Sequence, residues 1–267
     1  MVPFTSSSFI ISVRRRKIFI NLYDPASLVW ILGPILFAII STRNFQKAIN
    51  VSNQLIFDIA LLGMFIGISG VMRNLEEVNE LVPRLQLVFL PVLYALILKG
   101  PLYILSSNES TDLVKPGGLA LPIVAGVAFL GLTAIAMNGA AGIGPFVDTS
   151  SIVAIFGGLL LLAILNQLFG KESYFKVFKL IHGIAVVAAV VGLILMLRFV
   201  TDTEGVRAAF AILYTVFIYS LMLRVTLFLT LPDVNEMALS ESEQTVTMVV
   251  YLIAPILGVW VLVSSFS

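Results

Sequence analysis

The chain has 267 residues, of which 59% are hydrophobic and only 12% are charged, and its net charge is +1. Soluble domains carry about 25% charged residues, so this composition excludes an ordinary soluble domain. The near-zero net charge gives no reason to expect nucleic acid as a partner. The absence of cysteine excludes disulfides, thiolate metal sites and cysteine nucleophiles.

The first 23 residues contain a basic cluster, Arg14–Lys17, between two short apolar pieces. The order of these pieces is wrong for a cleaved signal peptide, and neither piece is long enough to span a bilayer. We therefore predict an interfacial segment over 1–23, with its basic cluster against phospholipid head groups.

Apolar runs fill most of the remaining chain, and a helix needs about 20 apolar residues to cross a bilayer. Unbroken runs favour helices over barrel strands, in which apolar residues alternate over about 10 positions. The sequence predicts an all-α membrane protein, a polytopic helical bundle with seven or eight transmembrane helices. The runs are 26–43, 55–72, 81–105, 119–138, 150–168, 178–198, 206–231 and 246–266.

Two parts of the chain are related by an internal repeat at an offset of 124 to 125 residues. Rare polar residues coincide in this alignment, which a shared apolar composition explains poorly. The coinciding pairs include Asp24 with Asp148, Ser27 with Ser151, Gly67 with Gly192, Tyr94 with Tyr219, and Lys99 with Arg224.

The repeat predicts how the chain is divided. A first copy of three spans covers 24–105, and a polar linker covers 106–118. A second copy covers 119–231 and has four spans, because one added crossing is needed to keep the two copies parallel. A loop and a C-terminal span complete the chain over 232–267.

Candidates for an ion path are ionisable or hydroxyl-bearing residues within the apolar runs, where such groups are functional hypotheses by default. Asp58 is about one turn inside its run, and His182 is its counterpart in the repeat. Tyr94 and Tyr219 are a matched pair, with Thr215 nearby in the second copy. The alternatives are that Asp58 and His182 lie at a membrane surface, where solvation is cheap, and that the tyrosines only pack.

Lys99 and Arg224 are also matched across the repeat and lie well inside their runs. Their long side chains can reach phospholipid head groups, so we predict membrane anchoring for both. The alternative is that one of them pairs with Asp58.

Small residues at four-residue spacing predict close helix packing, at Gly63 and Gly67 and again at Ala188 and Gly192. The sequence contains no metal-ligand cluster, phosphate-binding loop or Ser-His-Asp set. We therefore predict no catalytic residue, metal or cofactor, and no enzyme activity.

Several short motifs resemble the MotA branch of the MotA/TolQ/ExbB family, the flagellar stator A subunits. The resemblance extends loosely over 24–105 and 119–230. The motifs are Gly63–Ile68, Asn74–Glu77, Pro83, Leu93–Leu98, Gly144–Ile152 and Gly157–Gly158.

The resemblance implies a multi-pass subunit of the bacterial inner membrane that acts in an ion-driven motor or force-transducing complex. Family members assemble, usually as pentamers, around a single-span partner with an intramembrane aspartate, and proton or sodium flow drives the complex. By resemblance, 55–105 and 178–230 would form the partner-facing wall. The loop charges of the chain body favour a cytoplasmic position for the loop after the first span, with eight basic residues against four; the N-terminal cluster opposes this.

The chain also departs from the family pattern. Met64 and Ala189 occupy positions that usually carry threonine, and Pro91 and Val92 replace a threonine pair. Only about a dozen residues, 43–54, occupy the place of a large cytoplasmic domain. A non-conducting structural subunit is therefore an alternative. A small secondary transporter is a second alternative, with Gly33-Pro34 as a broken span.

Overall fold

The computed structural model describes residues 24–73, 88–106, 120–169, 178–199, 201–231 and 238–264. Within these ranges the chain is helical and contains no strand, which confirms the all-α prediction there. The predicted interfacial segment, most of the 106–118 linker and the turn after residue 73 lie outside the described residues. The helices are α1 Pro25–Thr42, α2 Phe45–Arg73, α3 Leu90–Leu105, α4 Ala120–Ala141, α5 Thr149–Phe169, α6 Ile181–Arg198, α7 Thr203–Thr230 and α8 Glu241–Ser264.

Among the described helices, six are long and apolar enough to cross a membrane, namely α1, α2, α4, α5, α6 and α7. The apolar parts of the other two, Leu90–Leu105 in α3 and Ser242–Gly258 in α8, are shorter. Each of the eight apolar runs is thus helical where it is described. These helices make the chain a multi-pass membrane protein.

Helix α2 begins at Phe45, ten residues before the predicted start of its apolar run. Arg43 ends α1 in the left-handed conformation, with φ of 51°. The side chain of Asn44 then accepts a hydrogen bond from the Lys47 N–H at 3.1 Å and starts α2, as N-cap residues do. The predicted loop over 43–54 is therefore mostly helix, because its polar residues interrupt the apolar run without interrupting the helix.

Helix α1 also differs from its prediction, because it continues through Pro34 from Pro25 to Thr42. The expected break at Gly33-Pro34 is wrong for this helix. Proline removes one backbone hydrogen bond from a helix interior, but in membrane helices neighbouring groups often compensate for that loss.

The centre of the bundle is formed by α2 and α7. In each, 72% of the apolar segment is buried within the chain, against 17% to 33% for α1, α4, α5 and α6. Helix α7 contacts α1, α2, α4, α5, α6 and α8. By resemblance, we expected 55–105 and 178–230 to form a partner-facing wall. In the structure, other helices of this chain cover most of the surface of α2 and α7.

The two ends of the bundle carry different polar groups. We call the end at which α2, α6 and α8 begin the Gln244 end; there, Gln244 hydrogen-bonds to Gln54 of α2. We call the opposite end, at which α1 and α5 begin, the Asp24 end.

Three of the four predicted packing residues lie at close helix contacts of similar kind. A Cβ at Gly67 would be 3.0 Å from the Val88 side chain, and a Cβ at Gly192 would be 3.3 Å from Leu213. Ala188 packs against the buried core. These small residues face neighbours within the same chain, so their helix faces are already covered.

The fourth predicted packing residue is Gly63, which lies against the Trp30 side chain. A Cβ at this position would overlap the Trp30 indole, which is buried and donates a hydrogen bond to the Ile59 carbonyl at 2.7 Å. We expect Gly63→Ala to lower the free energy of unfolding by about 1–3 kcal/mol, the usual effect of overpacking, measured by unfolding in detergent. The control is Gly131→Ala on α4, where a Cβ meets nothing within 4 Å; equal effects of the two variants would contradict the prediction.

Candidate functional site: a buried charge network

Asp58 lies in the middle of α2 and not at its end. It follows the first residue of the helix, Phe45, by thirteen positions, which is about 20 Å along a helix axis. Its exposed fraction is only 4%. The earlier start of α2 places the carboxylate inside the bundle, enclosed by this chain's own helices.

Arg224 of α7 is the principal partner of Asp58. Its Nη1 atom donates a hydrogen bond to Asp58 Oδ2 at 2.7 Å, and its exposed fraction is 3%. The anchoring prediction for Arg224 is therefore corrected, because the guanidinium binds a carboxylate inside the bundle. A buried charge that has lost its hydration needs such a partner, and hydropathy alone does not reveal one 166 residues away.

His182 of α6 completes the contact between the two copies. Its Nε2 atom is 2.8 Å from Arg224 Nη1 and 3.8 Å from Asp58 Oδ1. Arginine has only N–H donors, so Nε2 accepts from Arg224 and the ring proton lies on Nδ1. The structure therefore brings together Asp58 and His182, which the repeat alignment had paired.

The network continues into α8 and returns to α7. His182 Nδ1 is 2.8 Å from the Tyr251 hydroxyl, which is 2.9 Å from Ser220 Oγ. Ser220 donates to the Phe217 carbonyl at 2.9 Å. With the proton on Nδ1, the donors from His182 to Ser220 each find an acceptor in turn, and the network joins Asp58 of α2 to three other helices, α6, α7 and α8.

Tyr251, Ser220 and the Gln54–Gln244 pair were missed by the sequence analysis. A signal was present, because Ser220 precedes Arg224 by four positions and Gln244 precedes Tyr251 by seven. Both spacings put side chains on one face of a helix. Polar groups at these spacings within apolar runs indicate a face that meets other polar groups.

Three predicted ion-path residues lie outside this network. The Thr215 hydroxyl donates to a carbonyl of its own helix. The Tyr94 hydroxyl accepts from the Asp24 N–H at 3.0 Å, and the Tyr219 hydroxyl accepts from the Asp148 N–H at 3.2 Å. These tyrosines thus bind the backbone where α1 and α5 begin.

Lys99 of α3 lies near the outer part of the site. Its Nζ atom donates to the Asn53 carbonyl at 2.7 Å and to Gln244 Oε1 at 3.1 Å. It also lies 5.3 Å from the centre of the Phe57 ring. These contacts hold the ammonium group on the bundle, and its contact with phospholipid stays a prediction.

A narrow cleft leads to the ion pair from the Gln244 end. Asp58 and Arg224 line it together with Gln54, Gln244 and Thr247. Arg224 Nη2 is buried and has no hydrogen-bond partner among the described groups. The rest of the lining is apolar and comes from Phe57, Leu61, Leu239 and Met248, and the space of about 10 Å³ is at the lower limit for one water molecule.

On its other side, the network meets a cluster of aromatic side chains. The Phe65 ring lies 5.1 Å from Phe217 and 5.6 Å from Tyr214, and Phe217 lies 4.3 Å from Tyr251. All four side chains are buried. Phe65 follows Asp58 along α2, so this aromatic cluster lies between the ion pair and the Asp24 end.

The chain matches no family model, no curated protein and no solved structure. The buried network is therefore the basis for a proposed function. The described residues contain no group of three or more His, Asp or Glu side chains that could hold a metal ion. Among the described residues, the buried network of hydrogen-bonded polar side chains is the candidate functional site.

A double-mutant cycle tests the ion pair. Asp58→Asn and Arg224→Gln should each lower the free energy of unfolding by about 3–5 kcal/mol, because each leaves an uncompensated buried charge. The double variant should be destabilised by less than the sum, as measured by unfolding in detergent.

The matched control is the exposed pair Lys179–Glu243, joined at 3.3 Å. The coupling between Lys179→Gln and Glu243→Gln should be below about 1 kcal/mol, since exposed pairs are screened by solvent. Additive effects at Asp58 and Arg224 would show that this pair does not hold the helices together.

Proposed function

We propose that the protein is a proton-coupled subunit of a membrane complex, with Asp58 as the group that takes up and releases the proton. The observation that carries this proposal is a buried carboxylate that accepts a hydrogen bond from a guanidinium, lies 3.8 Å from an imidazole, and lines a cleft with the amides of Gln54 and Gln244. Ionisable residues inside membrane helices are rare, and they mark ion paths and proton relays.

Stability alone accounts poorly for the network. Replacing a buried ion pair by apolar residues of similar volume is often neutral or stabilising. The pair of Asp58 and Arg224 therefore needs a reason beyond packing, and proton exchange supplies one. Uptake of a proton by Asp58 removes the negative charge that Arg224 faces, whereas arginine keeps its own proton.

The same chemistry couples protonation to helix contacts. When Asp58 is neutral, the guanidinium of Arg224 retains His182 Nε2 as its acceptor. The attraction between α2 and α7 falls while that between α6 and α7 remains. Protonation of the Asp58 carboxylate thereby changes the relative strength of the contacts of α2 and α6 with α7.

The wider proposal is a tandem-duplicated, stator-like subunit of the bacterial inner membrane with the Gln244 end in the cytoplasm. It is supported by similar hydrogen bonds in both copies. Ser27 N–H donates to Asp24 Oδ2 at 2.9 Å, and Ser151 N–H donates to Asp148 Oδ2 at 2.7 Å. By resemblance, the partners are further copies of the chain and a single-span protein with an intramembrane aspartate.

A non-conducting scaffold derived from the same family is the second candidate. It is favoured by the aromatic cluster around Phe65, which fills the bundle between the ion pair and the Asp24 end. In that case Asp58 and Arg224 would only fix how the central helices meet. A secondary transporter, which repeated units favour in general, has less support because α1 continues through Gly33-Pro34 without a break.

Proton flux into vesicles distinguishes the two candidates. Purified protein, with its membrane partners where these co-purify, is reconstituted with a pH-sensitive dye inside and a potential applied across the membrane. We expect wild-type protein to support flux, and Asp58→Asn to reduce it to the rate of protein-free vesicles, because an amide cannot take up the proton.

The control is Asp202→Asn, at an exposed position outside the buried network, which should keep the wild-type rate. If Asp58→Asn does not fold, the neutral double variant of Asp58→Asn with Arg224→Gln takes its place. Flux that persists without the Asp58 carboxylate overturns the proton-acceptor role. Wild-type protein without flux favours the scaffold.

A further inference from the structure

The two approaches to Asp58 differ in chemistry. Towards the Gln244 end, the amide side chains of Gln54 and Gln244 and the hydroxyl-bearing Thr247 line the cleft together with four apolar side chains, those of Phe57, Leu61, Leu239 and Met248. Towards the Asp24 end, the aromatic cluster packs against the network. Water and protons can follow amide and hydroxyl groups, whereas the packed rings of Phe65 and Phe217 offer no hydrogen-bonding side-chain group.

One of the lining side chains, that of Gln244, makes three polar contacts. Gln244 Nε2 donates to Gln54 Oε1 at 2.6 Å and to the Leu239 carbonyl at 3.2 Å. Its Oε1 accepts from Lys99 Nζ at 3.1 Å. Gln54 is four residues before Asp58 on α2, so the Gln54–Gln244 bond lies one helical turn outside the carboxylate.

Helix α8 carries both Gln244 and an inner member of the network. Gln244, Thr247 and Tyr251 occur at helical spacing and face the core together. Helix α8 lies outside the two predicted copies, yet its contacts with α2, α6 and α7 complete the site. A small displacement of its first turns would open the cleft without separating the copies.

We infer that, in the conformation described, Asp58 is open to protons from one side of the membrane, the side of the Gln244 end, and that Gln244 is the positioning residue that controls this access. This inference rests on the proposed function, in which Asp58 takes up and releases a proton. Its test measures water access and not flux, so each can fail without the other.

The absence of native cysteine allows single cysteines to report access. An impermeant, cationic methanethiosulfonate reagent is added to one face of reconstituted vesicles at a time; it reacts with the thiolate, which forms where water reaches the thiol. Ser242→Cys marks the Gln244 end, and Ile143→Cys, at a half-exposed position in the turn before α5, marks the Asp24 end.

We expect Thr247→Cys to be labelled from the same face as Ser242→Cys and not from the face of Ile143→Cys. Ala254→Cys, on the same helix two turns further inside and buried, should be labelled from neither face. Labelling of Thr247→Cys from the Ile143→Cys face, or labelling of Ala254→Cys as fast as Thr247→Cys, would overturn one-sided access.

Adding Gln244→Ala to Thr247→Cys tests the control of access. Loss of the amide contacts should raise the labelling rate about tenfold, as expected when one hydrogen bond no longer holds the cleft closed, while Ser242→Cys keeps its rate. Gln54→Ala removes the same bond from α2 and replaces Gln244→Ala if that variant does not fold. Unchanged labelling in the folded variant would overturn the role of Gln244.

Discussion

The contact between Asp58 and Arg224 is the constraint on which the arrangement of the central helices depends. It joins α2 of the first predicted copy to α7 of the second, and these are the two most enclosed helices of the described bundle. In a medium of low dielectric constant, neither charge is tolerated without the other. The ion pair therefore fixes both the depth and the facing of α2 against α7, and the outer helices pack around them.

Helix α8 contributes residues to both ends of the cleft that contains the ion pair. Tyr251 hydrogen-bonds to His182 at the inner end, and Gln244 hydrogen-bonds to Gln54 at the outer end. A helix that follows the two predicted copies thereby supplies residues at both ends of the cleft. Proton coupling requires the cleft beside this helix to open, whereas a purely structural role does not.

Close packing on the other side explains why the site is asymmetric. Glycines at 63, 67 and 192 allow neighbouring side chains to approach α2 and α6 closely, and the rings around Phe65 fill the remaining space. Small residues that were expected to hold a partner helix instead hold this chain's own helices. The outer helices, α3 and α8 included, expose apolar side chains such as Val29, Ile104 and Leu160.

The sequence by itself determined that the chain crosses the membrane as helices, because apolar runs of sufficient length leave the backbone no other way to satisfy its polar groups. It also singled out Asp58 and His182, since ionisable groups are rare within such runs. Only the tertiary structure decided that Arg224 pairs with Asp58 and that Tyr251, Ser220 and Gln244 extend the site. These contacts depend on which faces of distant helices meet, and apolar periodicity in a lipid-exposed bundle does not specify that choice.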